Sequence, residues 1–229
     1  VLMLNDPLNP VGSVASEAEL AEIAAVCIEH DITAICDEVW EEVRFDGVAH
    51  RSLMTFPGMA GRAVKIGSAG KVFGLTGWKV GWLAARAALA GGLARVLQFL
   101  TFTTPPPLQW AVAEGLALPD GWFAARNAGW AASRQRLRVG LEAAGYAVLD
   151  NAATWFVCID LAASGLDMDD RSFSEAAIRK AGVATIPVSA LWEGAGAPRQ
   201  IVRLCFTKSD VVLDEAIARL TAFRTDRAA

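Results

Sequence analysis

Apolar residues recur along the chain in two spacings, one typical of strands and one typical of helices. A capping-box pattern at Ser16 and Glu19 opens a three-to-four-residue apolar repeat that continues to His30 and predicts a helix. Short β-prone apolar runs predict buried strands at residues 1–4, 33–36, 63–66 and 80–83. Strands that alternate with helices indicate an α/β layer with a largely parallel sheet.

The second half of the chain has a different order of elements. Residues 87–144 have a helical pattern that is broken at "TTPPPL", residues 103–108, and again near Pro119. Later patterns predict strands at residues 156–159 and 201–206 and helices at residues 173–181 and 213–223. We therefore expect two domains: residues 1–118 form an α/β domain, and residues 119–229 form a long connecting helix and a smaller α+β domain.

Composition and charge exclude several kinds of partner. The chain has 229 residues, 54% hydrophobic and 20% charged, which is typical of a compact globular protein. Its formal net charge is −4 and its basic residues are scattered, so we expect no binding to nucleic acid or to an anionic membrane. The most apolar stretch, residues 80–102, contains Arg86 and Arg95 and does not predict a membrane span.

The cysteines and histidines do not form a metal-binding pattern. The chain has four cysteines without a Cys-x-x-Cys pair, and its two histidines are not spaced as metal ligands, so we predict no metal site. We interpret the cysteines as buried free thiols and predict a reducing, cytoplasmic location.

The segment "GSAGKVFGLTGWKVGW", residues 67–82, carries Lys71 and Lys79 among small and apolar residues. Its glycine spacing matches neither a Walker A loop nor the dinucleotide-binding fingerprint. A lysine held in a tight, weakly solvated turn has a lowered pKa and can act as a nucleophile or a base. The simpler alternative is that both lysines are surface residues of a loop.

Three further polar residues lie where strands are predicted to end or on a predicted strand. Asn9 follows the first strand in "NDPLNPVG", and Asp37 ends the second, where the loops of parallel sheets build ligand sites. Taken alone, Asn9 is a turn residue and Asp37 is the N-cap of a following helix. Taken alone, Arg203 in "IVRLCF" belongs to a structural ion pair.

The order of these residues resembles that of the class I and II aminotransferases, the pyridoxal-phosphate enzymes of fold type I, and especially the kynurenine, glutamine and methionine aminotransferase group. Four blocks carry the likeness, "NDPLNPVG", "CDEVWEEVRFDG", "GSAGKVFGLTGWKVGW" and "IVRLCFTK", and it covers essentially all 229 residues. The resemblance implies part of a fold type I large domain, with a mostly parallel sheet and helices, followed by a smaller α+β domain.

The resemblance also implies roles in binding pyridoxal 5′-phosphate. Lys71 forms the Schiff base with the cofactor and then moves the proton released from the substrate. Asp37 keeps the ring nitrogen protonated, because a carboxylate favours the pyridinium. Ser68 and Lys79 bind the phosphate, one as a hydroxyl donor and the other as a point charge.

Further residues are implied at the substrate and at the ring. Asn9 contacts the ring oxygen and lies near the substrate carboxylate, which Arg203 clamps. Trp40 stands where the family has a tyrosine, and its indole N–H donates but neither accepts nor ionises, so we expect retained cofactor binding with an altered pKa of the lysine–cofactor linkage. Phe102 aligns with an aromatic that reaches the neighbouring subunit's pocket, and a core aromatic is the alternative.

The resemblance implies transamination between an α-amino acid, aromatic or sulfur-containing, and a 2-oxo acid by a homodimer. The family has a further segment before the asparagine block, so we expect this chain to be the C-terminal portion of such an enzyme. Two alternatives stay open, a carbon–sulfur β-lyase on the same scaffold and a non-catalytic remnant or ligand-sensing domain. The absence of a basic DNA-reading segment weakens the sensing alternative.

Overall fold

The computed structural model describes residues 1–228, with side chains described as far as Thr225. The chain divides into two compact units. The first comprises Val1–Leu8 and Ser13–Ala125, and the second comprises Asn9–Gly12 and Arg126–Ala229. The predicted domain boundary between residues 118 and 119 lies just before a long helix and stays a prediction.

The sheet of the first unit has four strands in sequence order. They are β1 (Leu2–Asn5), β2 (Ala34–Asp37), β3 (Ala63–Ser68) and β4 (Gly81–Ala85). The first three are parallel and β4 is antiparallel to β3. Because parallel strands end at the same edge, Asn5 lies opposite Asp37, and Asp37 lies opposite Ile66. The predicted α/β fold with a mostly parallel sheet is confirmed.

Helices of the first unit cover this sheet and follow its last strand. They are α1 (Glu17–Glu29), α2 (Ala69–Val72), α3 (Ala87–Leu100) and α4 (Pro106–Leu116), with 3₁₀ turns at Leu53–Thr55 and Thr76–Trp78. The predicted capping box of α1 is present, since the Ser16 hydroxyl accepts from the Glu19 backbone N–H at 3.2 Å and the Glu19 carboxylate accepts from that of Ser16 at 2.7 Å. Leu20 and Cys27 of α1 are buried against Ala34 and Cys36 of β2.

The second unit is an antiparallel sheet packed with helices. Its strands, in the spatial order β5-β6-β8-β7, are β5 (Ala147–Val148), β6 (Phe156–Asp160), β7 (Ile186–Pro187) and β8 (Ile201–Cys205). Its helices are α5 (Asp120–Ala143), which begins at the end of the first unit, α6 (Asp170–Ala176), which continues as a π-helical turn at Ala177–Ala181, and α7 (Asp210–Ala228). A 3₁₀ turn, Val188–Leu191, follows β7.

The core of the second unit contains the periodic apolar residues of the sequence. Leu137 of α5, Phe173 of α6 and Leu213 and Leu220 of α7 are almost completely buried. The four cysteines are free, as predicted, and Cys27, Cys36 and Cys158 are buried. Cys205 is only half-buried, so the prediction of burial is wrong for this residue. No helix among the described residues is both long and apolar enough to cross a membrane.

Candidate active site

Asp37 lies at the carboxyl edge of the parallel strands. Its backbone carbonyl accepts from the Asn5 side-chain amide at 3.1 Å and from the Asp6 backbone N–H at 3.2 Å. Its half-buried carboxylate accepts from the backbone N–H of Val39 at 3.4 Å. Turns rather than a helix follow β2, so the interpretation of Asp37 as a helix N-cap is wrong. The carboxylate is held at the strand end by local backbone contacts.

Lys71 lies in the short helix α2, directly after β3, and its side chain is half-buried. Burial lowers the pKa of its ammonium from the ordinary value of 10.5, the positive charge of Lys79 lowers it further, and the carboxylate of Asp37 opposes both effects. The Nζ atom lies 5.5 Å from the centre of the Trp40 ring. The surface-loop interpretation is therefore wrong for Lys71, whose charge is partly removed from water.

Two glycines allow the backbone around Lys71 to pack this closely. A Cβ atom at Gly67 would lie 2.2 Å from the indole of Trp82 on β4. A Cβ atom at Gly70 would lie 2.9 Å from the Cα of Thr76 and 3.4 Å from the hydroxyl of Ser68. The approaches of 2.2 Å at Gly67 and 2.9 Å at Gly70 are too short for a real Cβ atom, so these glycines allow β3, α2 and β4 to pack together.

Ser68 and Lys79 lie at the two ends of the segment around Lys71. Ser68 is the last residue of β3 and the N-cap of α2, and its hydroxyl makes no capping hydrogen bond. Lys79 is exposed and has a left-handed φ of 57°. It precedes β4 by two residues. This left-handed residue ends the Thr76–Trp78 turn, and the chain enters the strand after it.

Arg203 and Asn9 meet in the second unit. Arg203 lies on β8 and donates from Nη1 to the Asn9 side-chain oxygen at 2.8 Å. Its guanidinium lies 3.9 Å from the centre of the Phe156 ring on β6. Burial lowers the pKa of Arg203, which shows that its charge is partly desolvated. No ion pair among the described residues includes Arg203, so the structural ion-pair interpretation is not supported.

The sequence reasoning did not identify the residues that orient this arginine and this aspartate. Phe156 supports the Arg203 guanidinium, and Asn5 holds the carbonyl of Asp37. Phe156 lies in a predicted strand and Asn5 directly follows one, but their contacts depend on the register between strands. Phe156 pairs with Cys205, two residues beyond Arg203 on the same face of β8. Such a neighbour is visible only when the register is known.

The predicted residues divide between the two units. The first carries Asp37, Trp40, Ser68, Lys71 and Lys79, and the second carries Asn9 and Arg203. Phe102 belongs to the first unit and is 78% exposed, so its interpretation as a core aromatic is wrong.

The donor set of the first unit fits pyridoxal 5′-phosphate by its chemistry. A partly desolvated amine suits an aldehyde, and a carboxylate that is electrostatically coupled to this amine suits a protonated ring nitrogen. A hydroxyl without a capping bond and an exposed ammonium in the same segment suit a phosphate.

Known proteins similar to this chain share one activity in their names. A probable N-succinyldiaminopimelate aminotransferase of Mycobacterium tuberculosis is 42% identical over 228 residues, which cover 96% of this chain and 57% of the relative. A kynurenine–oxoglutarate transaminase of Dictyostelium discoideum is 35% identical over 237 residues, which cover 94% of this chain and 54% of the relative.

A solved structure shows the same fold. The N-succinyldiaminopimelate aminotransferase of Mycobacterium tuberculosis superposes with a TM-score of 0.93 at 42% identity, covering 97% of this chain and 58% of that one. This chain therefore spans little more than half the length of these relatives. The family model described as aminotransferase class I and II matches residues 1–220. The chain belongs to the class I and II aminotransferases.

Proposed function

We propose that this chain is the lysine-bearing part of an enzyme that exchanges the amino group of an α-amino acid with a 2-oxo acid. The observation that carries the proposal is the state of Lys71. Its ammonium is half-buried, its pKa is lowered by burial and by Lys79, and its Nζ atom lies 5.5 Å from the Trp40 ring. Transamination requires an amine of this kind, because only a neutral amine condenses with an aldehyde.

Members of this family use pyridoxal 5′-phosphate. When bound, the cofactor supplies an electron sink that stabilises the negative charge left on the substrate Cα after proton removal. The residues of the first unit supply the positions that such a cofactor needs, and the following roles are parts of the proposal.

Lys71 has two roles in this proposal. As a neutral amine it binds the cofactor aldehyde, and the lowered pKa increases the neutral fraction at a given pH. With substrate bound, Lys71 Nζ would take the proton from the substrate Cα and later return it. A base with a lowered pKa is suited to both directions of transfer.

The other residues of the first unit hold the cofactor in place. The carboxylate of Asp37 would accept a hydrogen bond from the protonated ring nitrogen. The backbone carbonyl of Asp37 is held by hydrogen bonds from Asn5 and Asp6. Ser68 donates its hydroxyl to the phosphate, and Lys79 neutralises part of the phosphate charge. The buried Trp40 contributes an apolar wall beside Lys71.

Arg203 and Asn9 bind the substrate carboxylate in this proposal. The guanidinium is oriented by the Phe156 ring and the Asn9 oxygen, and neither partner neutralises its charge. A partly desolvated arginine without a carboxylate partner gains most from a bidentate anion, which supports the clamp. The second role of Asn9, contact with the ring oxygen, rests on the family resemblance.

The proposed substrates include amino acids other than the aromatic and sulfur-containing ones. The relatives are named for N-succinyldiaminopimelate and for kynurenine, so a bulky or acylated side chain joins the aromatic and sulfur-containing candidates. The relatives described above are named as aminotransferases, and the carbon–sulfur lyase alternative is not favoured.

A homodimer belongs to the same proposal. Val96, Phe99 and Leu100 lie on one face of α3, and they are 58%, 87% and 76% exposed. Phe102, just beyond the helix, is 78% exposed. An apolar patch of this kind marks an association surface, and a second copy is the partner that we propose. A cytoplasmic location stays a prediction, supported by the four free cysteines.

Borohydride trapping tests the proposed function. The chain is mixed with pyridoxal 5′-phosphate, reduced with borohydride, digested and mapped by mass spectrometry. We expect the reduced adduct on Lys71, because the amine with the lowered pKa condenses fastest near neutral pH. Lys71→Arg should abolish this adduct, whereas Lys208→Arg, at an exposed lysine of the second unit, should not change it.

Labelling spread over the five lysines, without preference for Lys71, contradicts the proposal. So does labelling that persists at wild-type yield in the Lys71→Arg chain. Both results would describe a surface that reacts with aldehydes nonspecifically.

A further inference from the structure

A buried cluster of titratable side chains includes Glu38, the residue after Asp37, and Asp6, whose backbone N–H donates to the carbonyl of Asp37. His50 Nε2 is 3.4 Å from Asp6 Oδ2 and 3.9 Å from Glu38 Oε2. The three side chains are 5%, 6% and 2% exposed, in the same order. None of the roles proposed above uses them.

Three atoms of this cluster have no hydrogen-bond partner among the described residues. They are Asp6 Oδ2, Glu38 Oε2 and His50 Nε2. The second oxygen of each carboxylate is satisfied, since Asp6 Oδ1 accepts from the backbone N–H of Ala15 and Glu38 Oε1 from the hydroxyl of Ser52, both at 2.8 Å. The unsatisfied atoms of Asp6 and Glu38 therefore both lie near His50 Nε2, at 3.4 and 3.9 Å.

The hydrogen bonding of His50 determines what its Nε2 atom can do. The backbone of Asp6 raises the pKa of the imidazole, against the larger effect of burial. Because Nε2 has no hydrogen-bond partner among the described residues, we place the ring proton on Nδ1. A neutral imidazole with its proton on Nδ1 presents a lone pair at Nε2. Two carboxylate oxygens at 3.4 and 3.9 Å would repel this lone pair. The contact therefore requires a proton between His50 Nε2 and a carboxylate oxygen.

A metal ion is a poor occupant, because an ammonium already lies at the carboxylates. Ligand atoms of Glu38, Glu41 and His50 lie within 4.8 Å of one another. Lys65 on β3 contacts the carboxylate of Glu41, and its Nζ atom is 3.6 Å from Glu38 Oε2. Its charge compensates these two glutamates, which leaves the pair of Asp6 and His50 without compensation.

The charges around the pair favour one position for the proton. Burial raises the pKa of the Asp6 carboxyl from its ordinary value of 3.8, the charge of Glu19 adds to this, and the Ala15 hydrogen bond opposes it. Burial lowers the pKa of His50 to about 4, and the cations Arg44 and Lys65 contribute. Burial also raises the pKa of Glu38, with Lys65 and Ser52 opposing. The proton is thus favoured on a carboxyl and disfavoured on the imidazole.

We propose that Asp6 and His50 share one proton at neutral pH, with Asp6 as a carboxylic acid that donates from Oδ2 to His50 Nε2, and that this pair positions Asp37. The positioning role rests on the proposed function, whereas the shared proton does not. Asp6 connects the two, because its backbone N–H donates to the carbonyl of Asp37 at 3.2 Å. Glu38, the next residue along the chain, faces the same imidazole. Ionisation of Asp6 would add a second negative charge near Glu38, in the residue whose backbone N–H holds the carbonyl of Asp37.

Nuclear magnetic resonance of the histidines in the chain without cofactor tests the shared proton. The chain has only two histidines, and the exposed His30 is an internal control. We expect His50 to stay neutral, with its proton on Nδ1, between pH 5.5 and 7.5, roughly one unit either side of the ordinary histidine value. The Asp6→Asn variant should keep this tautomer, because its amide N–H can donate to Nε2 as the carboxylic acid does.

A His50 that titrates between pH 5.5 and 7.5, roughly one unit either side of the ordinary histidine value, or that carries its proton on Nε2, overturns the shared proton. A specific loss of the His50 signals on addition of zinc chloride also overturns it, because the cluster would then be a metal site.

The pH dependence of unfolding provides a second measurement. A carboxyl with a raised pKa contributes stability that is fully present below its ordinary value of 3.8 and is lost as the pH rises through the folded value. Asp6→Asn removes this loss, so its urea midpoint should rise relative to the wild type as the pH increases above about 4. Asp169→Asn is the control, since the pKa of that exposed carboxyl is lowered and its contribution changes only in more acid solution. A constant difference between Asp6→Asn and the wild type over this range overturns the proposal.

Cofactor binding tests the positioning role. Asp6→Asn should retain the affinity for pyridoxal 5′-phosphate, measured by fluorescence, and should lose less of it at high pH than the wild type. His50→Leu should lose affinity, since Asp6 and Glu38 then face each other without the imidazole. An unchanged affinity in folded His50→Leu overturns the positioning role. A neutral His50 with its proton on Nδ1, together with failed trapping at Lys71, would instead show that the proposed function is wrong and the shared proton is correct.

Discussion

At the scale of single residues, the candidate site depends on how much water reaches each charged group. Lys71 and Arg203 are both partly buried, and the pKa of each is lowered by that burial. Lys79 is close enough to Lys71 to lower its pKa further, whereas Asp37 raises it. The reactivity of the amine is therefore set by two opposed neighbours as well as by desolvation.

Removal of the neighbouring cation should reverse part of this effect. Lys79→Gln should raise the pKa of Lys71, because the positive charge that disfavours the ammonium is absent. The measurement is the pH dependence of reductive methylation at Lys71, followed by mass spectrometry, which should shift toward higher pH. Lys208→Gln changes charge equally in the second unit and is the matched control. A profile that moves equally in both variants, or in neither, would exclude a direct effect of Lys79.

At the scale of elements, the segment from β3 through α2 to β4 forms the frame of the site. Ser68 on β3 lies opposite Gly81 on β4, and Gly67 lies opposite Trp82. The antiparallel return of β4 brings the indole of Trp82 against Gly67. Small residues in this segment are therefore required by packing, independently of any ligand.

A methyl group at Gly67 should destabilise the folded chain. Its Cβ would lie 2.2 Å from the Trp82 indole, so the strands must separate or the ring must move. We expect Gly67→Ala to lower the free energy of unfolding by about 1–3 kcal/mol, the usual cost of overpacking. Urea denaturation measures the change. Gly77→Ala is the control, because its Cβ meets nothing within 4 Å and its loss of stability should be small. Equal losses in the two variants would contradict the packing argument.

At the scale of the whole molecule, the first unit exposes apolar side chains that its own core does not cover. No residue of α3 is buried, although the helix is rich in alanine and leucine. Isolated apolar residues at a surface need no explanation, but Val96, Phe99 and Leu100 share one helix face. Burial of this face against a second copy would remove the patch from water.

A charge on this face should weaken self-association. Phe99→Glu should shift the chain toward the monomer in sedimentation equilibrium, because burial of an unpaired carboxylate at an interface is unfavourable. Val211→Glu is the control, since Val211 is 76% exposed on α7 of the second unit. If Phe99→Glu associates as the wild type does, α3 does not form the dimer surface.

The sequence by itself determined the elements whose signals are local. The α1 helix followed from a capping box and an apolar repeat, and β1, β2 and β3 followed from short apolar runs, because periodicity and capping involve near neighbours in the chain. The resemblance carried by the lysine block identified the family correctly. Two-residue strands such as β5 (Ala147–Val148) have no such signal, since they exist only through pairing with β6.

Only the tertiary structure decided which side chains meet. The stacking of Arg203 on Phe156 depends on strand register, the left-handed φ of Lys79 depends on the turn before β4, and the contact of Asp6 with His50 joins residues 44 positions apart. Desolvation likewise depends on everything packed around a group, so the lowered pKa of Lys71 became a property of the molecule only on folding. Local sequence specifies backbone preference, whereas charge, burial and contact are set by distant parts of the chain.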